Sequence, residues 1–325
     1  MRSARRCGGR PAGDRVSHPR ITVVRMPRIA VPEVLEALAL RADTGAPELP
    51  GGMSGSHVVG AVTDRDLPVV VKVTALELPD EARRAWRELE VYTELSQQLP
   101  LPAPRLVAAH STGAWIAIAL ERLRHAPPAS QWATERWVDL ATTLGELHSI
   151  GRGVLGLPAP VDALIPRSAE ELRGFARQLW DGPGDAARIE TVLRSSEPLH
   201  EAAANGPRSF VHGGCHLGNV VLTDDGKPLL VDWQSAHVGL SAADVAFALT
   251  RAAADSRSIP RDRVIDAYSA AAGIDPATVH RTVTAQQLLI LVEQYPEFAA
   301  FLGPEEVAGL RRAFDVLLEE WEERG

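Results

Sequence analysis

Two short apolar runs, Val220-Val221-Leu222 and Leu229-Leu230-Val231, flank the turn-forming segment Thr223-Asp224-Asp225-Gly226-Lys227-Pro228, and this pattern constrains the chain more than any other. It predicts a β-hairpin, preceded by a polar loop from His212 to Gly218. Pairing through the turn brings Asn219, just before the first run, and Asp232, just after the second, to the same end of the hairpin. An amide oxygen and a carboxylate fixed on a rigid hairpin are hard oxygen ligands of the kind that hold Mg²⁺ while phosphate oxygens complete its shell. They point to phosphoryl-transfer chemistry. The competing reading is a surface hairpin whose Asn and Asp serve turns.

A second feature supports the first. Lys72 lies inside the run Val69-Val70-Val71-Lys72-Val73, and Lys227 is the only other lysine in a chain that otherwise uses arginine. An ammonium in a buried strand is costly unless anions pair with it. The spacing predicts a helix over 80–97, with Ala85, Glu88, Tyr92 and Leu95 along one row and Trp86, Glu90, Glu94 and Gln97 along another. Glu88 is the carboxylate on the apolar row, so it faces the sheet and is assigned to Lys72. Upstream, the segment from Leu49 to Ser56 is rich in Gly and Ser and leads into the alternating strand 57–62. Such a loop lets backbone N–H groups approach phosphates, although a Gly/Ser-rich hairpin without a ligand has the same look.

His212-Gly213, Asn219 and Val231-Asp232-Trp233 resemble the Brenner-type loop and metal-binding Asp of the aminoglycoside phosphotransferase and choline kinase-like family, relatives of the protein kinases. The resemblance implies an α+β, two-lobed protein-kinase-like fold: an antiparallel sheet with one helix in the small N-terminal lobe, and a larger, mainly helical C-terminal lobe. The expected division is a nucleotide-binding lobe at 29–122 and a catalytic and substrate lobe at 123–325, after an Arg-rich tail at 1–28 whose composition reads as disordered. The resemblance further implies ATP or GTP with Mg²⁺, a small-molecule hydroxyl as acceptor, Asn219 and Asp232 on the metal, and His212 in the catalytic loop. Lys72 and its partner Glu88, with Gly52 and Ser54 of the Gly-rich loop, would hold the phosphates. Backbone groups from Glu121 to Leu123 would meet the adenine edge. Asp244 would brace the catalytic loop, and His148 reads as structural.

The sequence departs from the family pattern at one place. The family loop reads His-Gly-Asp-x-x-x-x-Asn, and its Asp takes or orients the proton of the substrate hydroxyl. Here that position is Gly214. Losing an acid–base group costs on the order of 10²–10⁴-fold in rate. Three readings follow: a phosphotransferase whose base comes from elsewhere, with His216 as a surrogate near neutral pH; a pseudokinase that binds nucleotide without transferring phosphate; or a variant of an active parent. A zinc site of His212, Cys215 and His216 is a rival from another class, weakened because adjacent Cys and His point apart and no Cys-x-x-Cys partner exists.

Size and charge set the remaining bounds. The 325 residues, 45% of them hydrophobic, suffice for two lobes, and no apolar run approaches the roughly 20 residues a membrane-spanning helix needs. Two cysteines, Cys7 and Cys215, fit a reducing compartment, and with no signal-type apolar segment the expectation is a cytoplasmic protein. The first 28 residues carry eight arginines against Asp14; they could bind nucleic acid electrostatically, but that role leaves Lys72, Glu88, Asn219 and Asp232 unexplained, so no nucleic-acid partner is expected, and the tail could simply mark translation from Met26. With the chain at −8, the body is left at about −15, which suits a cationic substrate. Elsewhere helices are expected at 32–40, 132–150, 169–180, 187–193, from Ser241 onward, and at 261–272, 276–294 and 304–323, with strands near 105–109 and 115–120.

Overall fold

The structure is a computed structural model describing residues 29–45, 56–153, 167–255 and 259–324. The Arg-rich segment 1–28 and the Gly-rich loop positions Gly52 and Ser54 lie outside the described residues.

Helix α1 (Val31–Ala37) starts with a proline in its first turn and buries Val34 and Leu35. It ends at Ala37, short of the helix expected over 32–40, because Ala39 takes a left-handed backbone (φ 55°) and the chain then pairs as β1 (Arg41–Ala42) with Ala61 and Val62. Leu38 and Leu40 keep their apolar side chains in the core, which is why the stretch reads as helical in sequence. Strands β2 (His57–Val62) and β3 (Pro68–Ala75) follow, then α2 (Pro79–Glu90), a π turn at Val91–Leu95 and the short α3 (Ser96–Gln98). Strands β4 (Leu106–Ser111) and β5 (Trp115–Glu121) complete an antiparallel sheet in the order β1-β2-β3-β5-β4.

Period-2 alternation on β3 decides which side chain does what. Val69, Val71 and Val73 are buried with Val34, Leu35, Ala117 and Ala119 beneath α1. Val70 and Lys72 point the other way, into the cleft on the side of α2. The inner row of α2, Ala85 and Glu88 with Tyr92 and Leu95 beyond it, is buried, whereas Trp86 on the outer row is 48% exposed.

After β6 (Arg124–His125) come α4 (Thr134–Ile150), α5 (Ala169–Ala176), α6 (Asp185–Arg194) and α7 (Ser196–Ala204). Helix α5 begins on a Ser168/Glu171 capping box and ends at Ala176, earlier than the spacing to Trp180 implies. Helix α7 is not among the expected helices, and it carries Pro198. It sits in the first turn, where a backbone N–H has no helical partner to lose. Strands β7 (Arg208–Val211), β8 (Val220–Leu222), β9 (Pro228–Leu230) and β10 (His237–Leu240) form two small sheets, β6-β8-β9 and β10-β7. Helices α8 (Ala242–Asp255), α9 (Arg261–Ala272), α10 (Pro276–Leu289, continued by a π turn at Ile290–Gln294) and α11 (Pro304–Arg324) close the chain. This is the small sheet-bearing lobe and larger helical lobe expected of the kinase-like class. Among the described residues no helix is long and apolar enough to cross a membrane.

Candidate functional site

The β8–β9 hairpin pairs Val220 with Leu230, and the N–H of Val231 donates to the Asn219 carbonyl at 2.9 Å, so Asn219 and Asp232 stand together at one end. The Asn219 amide Nδ2 donates to the Gly214 carbonyl at 3.0 Å, which fixes the side chain and leaves its oxygen without that bond. Asp232 adopts a left-handed backbone (φ 67°), a conformation costly for a residue with a Cβ. The bend is held by Trp233, fully buried, whose indole N–H reaches the Leu230 carbonyl at 2.9 Å and whose rings stack on Phe210. It turns the Asp232 carboxylate toward the small lobe.

There it meets Lys72. The ammonium lies 2.6 Å from Glu88 Oε2 and 2.5 Å from Asp232 Oδ1, so one cation ties β3, α2 and the hairpin together. Burial disfavours the charged lysine, but Glu88 and Asp232 outweigh it and raise the Lys72 pKa. Burial also pulls the Glu88 carboxyl upward, and the ammonium pulls it back. Arg87, next on α2, donates to the Ala236 carbonyl and adds a second tie between lobes.

Beneath the loop, Asp244 is buried and takes three bonds: from the N–H of His212 at 2.7 Å, from the N–H of Gly213 at 2.9 Å, and from His148 Nε2 at 3.1 Å. Burial works to raise its pKa, yet the His148 and backbone hydrogen bonds hold it below the usual carboxylate range. His148 is buried between Asp244 and the Tyr268 hydroxyl (2.9 Å), a structural position. His212, also buried, donates from Nε2 to the Val231 carbonyl at 2.9 Å and so couples loop to hairpin; burial lowers its pKa. Gly213 has φ 78°, and a Cβ there would lie 2.2 Å from the Ser235 carbonyl oxygen. Gly213→Ala is therefore expected to destabilise the protein by at least about 2 kcal/mol, read as a lower denaturant midpoint.

Gly214 is the opposite case. A Cβ there would meet nothing nearer than His212 Nδ1 at 4.0 Å. The surrogate-base reading of His216 does not fit the geometry. Its Nδ1 accepts from the Gly218 N–H at 3.1 Å, which puts the ring proton on Nε2 and makes that atom a donor. Burial and the Arg251 charge lower its pKa to about 4. Cys215 is buried with its thiol pKa pushed up by burial, and among the described residues no group of three or more His, Cys, Asp or Glu is placed to hold a metal ion, against the zinc alternative.

Above the hairpin end lies a cavity of about 340 Å³, walled by Val58, Val70, Leu120, Val221 and Val231, with Lys72, Glu88, Asn219 and Asp232 at one end. Glu121 and Leu123 line it. The N–H groups of Glu121 and Arg122 are committed to the Arg105 and Pro68 carbonyls, and the Glu121 carboxylate accepts from the Arg105 N–H. Leu123 thus offers the backbone donor nearest this wall. Ser56, the last residue of the Gly/Ser-rich segment, and His125 also line the cavity, and Gln234 reaches Asp232 at 3.4 Å; nothing in the sequence singles out His125 or Gln234 individually.

Solved structures share this fold at low identity. The microcompartment-associated aminopropanol kinase aligns with 91% of this chain and 98% of its own (14% identity, TM-score 0.58). Amicoumacin kinase hAmiN in complex with AMP-PNP, Ca²⁺ and Ami aligns over 89% and 93% (14%, TM-score 0.56). Macrolide 2'-phosphotransferase MphH from Brachybacterium faecium aligns over 88% and 95% (19%, TM-score 0.53). No curated protein matches the chain. The model of the phosphotransferase enzyme family matches residues 46–281, most of the sequence and all of the hairpin, loop and Lys72 strand, and the chain belongs to that family.

Proposed function

We propose that the protein is an ATP-dependent phosphotransferase acting on a hydroxyl of a small molecule. The observation that carries this reading is Lys72 bridging Glu88 and Asp232 at the polar end of a 340 Å³ apolar-walled cavity. The apolar walls suit a nucleobase, with the Leu123 backbone as the donor to its edge, and the lysine suits phosphate oxygens. Residues 29–122 would form the nucleotide lobe and 123–325 the acceptor lobe. The acidic body favours an acceptor with a cationic group.

The donor set fits a divalent cation. The Asn219 amide oxygen and the Asp232 carboxylate stand at one hairpin end, and two protein oxygens with phosphate and water ligands are what Mg²⁺ ordinarily takes. Asn219 and Asp232 would hold it, and when bound it neutralises charge on the phosphate oxygens. The chain's own residues do the rest: Lys72 orients the phosphates, Asp244 fixes the loop, and His212 locks the loop to the hairpin. A second reading, a nucleotide-binding protein without transferase activity, draws on one observation, the glycine at 214.

MgATP is expected to bind and to raise the melting temperature, with a stabilisation of about 2.7 kcal/mol at a hundredfold excess over Kd. Asp232→Asn is expected to abolish the magnesium dependence. The reading fails if calorimetry detects no binding of MgATP or MgGTP up to millimolar concentrations.

A further inference from the structure

Tyr92 carries a polar atom that the site described above does not use. The residue is 2% exposed and sits in the π turn Val91–Leu95, one helical turn beyond Glu88 on the buried row that continues α2. Its hydroxyl oxygen is sealed from solvent and, among the described residues, has no hydrogen-bond partner. A buried hydroxyl in that state has lost its hydration and gained nothing in return, a cost that a native fold rarely leaves standing. Phenylalanine would fill the same apolar space without it.

The charges nearby show what could relieve the cost. Burial pushes the phenol pKa up, and the carboxylates of Glu88 and Asp232 push it further, so the hydroxyl lies in a negative field. Glu88 is its i−4 neighbour on the same helix face. In the free protein the Glu88 carboxylate is drawn to Lys72 at 2.6 Å, and the same ammonium is held by Asp232 at 2.5 Å. Two carboxylates share one cation, and the donor beside them goes unused. The backbone also leaves the α pattern at the turn that carries the hydroxyl. Side chains serve its carbonyls there: Thr93 Oγ1 donates to Leu89 at 2.8 Å and Ser96 Oγ to Tyr92 at 2.6 Å.

We propose that Tyr92 is a positioning residue acting through Glu88: its hydroxyl donates to the Glu88 carboxylate in the nucleotide-bound protein, once Lys72 has turned from Asp232 to phosphate. This rests on the nucleotide site proposed above. As the lysine leaves Asp232, Glu88 becomes its one protein counter-ion, and a charge-assisted bond from Tyr92 holds that carboxylate in place. Tyr92 does not line the cavity, so it acts without touching the nucleotide.

The test is Tyr92→Phe, which removes the oxygen and keeps the ring, with melting temperature and MgATP affinity by calorimetry measured on the same protein. The two are expected to move apart. Without nucleotide the variant should melt higher by roughly 1–3 °C, because the unpaired hydroxyl is gone. Its Kd for MgATP should rise about 10-fold, the loss of a hydrogen bond to a charged group. In a Glu88→Ala background the same substitution should leave Kd unchanged, and a rise that persists there overturns Glu88 as the partner. If that background folds poorly, the two measurements on Tyr92→Phe alone decide. A hydroxyl already bonded in the free protein would make the variant melt lower, and a ring that merely packs would leave Kd where it is. Either result overturns the proposal while the nucleotide site stands. If the native protein does not bind MgATP, both fall.

Discussion

Gly214→Asp is expected to raise phosphoryl-transfer turnover by roughly 10²–10⁴-fold, the range attributed to a positioned acid–base group, or about 3–5 kcal/mol of barrier. The substitution is sterically free: the backbone at 214 is outside the left-handed region, and the new Cβ has only His212 Nδ1 near it, at 4.0 Å. Affinity for MgATP should be nearly unchanged, because Lys72 and Asp232 are not touched. His216→Ala, by contrast, should leave the proton-transfer step of the native protein unaltered, since its Nε2 donates rather than accepts. Steady-state kinetics of both variants against a panel of hydroxylated metabolites and antibiotics check the pair. A Gly214→Asp protein that binds MgATP and transfers to nothing on the panel would favour the non-catalytic reading.

Asp244→Ala is the second large effect. It strips the buried acceptor from two backbone N–H groups and from His148, and leaving such partners unpaired costs about 3–5 kcal/mol. Chemical denaturation should show that loss, with the Asn219 and Asp232 end of the hairpin loosened through His212. The pH dependence has a definite sign. A carboxyl whose folded pKa lies below its unfolded one contributes stability that is fully present above the unfolded value and is lost as pH falls through the folded one. The native protein should therefore lose this contribution below about pH 4, the unfolded carboxylate value, and the Asp244→Ala protein should lack that segment of the acid transition.

The parts of the fold that were legible in sequence are those in which one local pattern had one structural solution. Lys72 among valines had to face either solvent or a carboxylate, and helical spacing singled out Glu88 from Glu90. The hairpin carried Asn219 and Asp232 to the same end by counting alone. What escaped was set by partners remote in sequence. Strand β1 exists because Arg41 and Ala42 find β2, in a stretch whose leucines mimic a helix. Strand β10 exists because His237 to Leu240 find β7. The role offered to His216 failed for a reason invisible to spacing: the backbone N–H of Gly218, two residues on, decides which ring nitrogen holds the proton.

Lys72 stands between two carboxylates, so the polar end of the cleft is its own counter-ion and carries a surplus of negative charge. A bare polyphosphate approaching it meets repulsion as well as attraction. On the proposed phosphotransferase reading, the lysine would turn to phosphate only as Asp232 is given another cation, which would make the metal–nucleotide complex the natural visitor and leave the free nucleotide a poor competitor. Added salt should then weaken capture less than a lone exposed lysine would imply, because the charges that matter are already screened by one another.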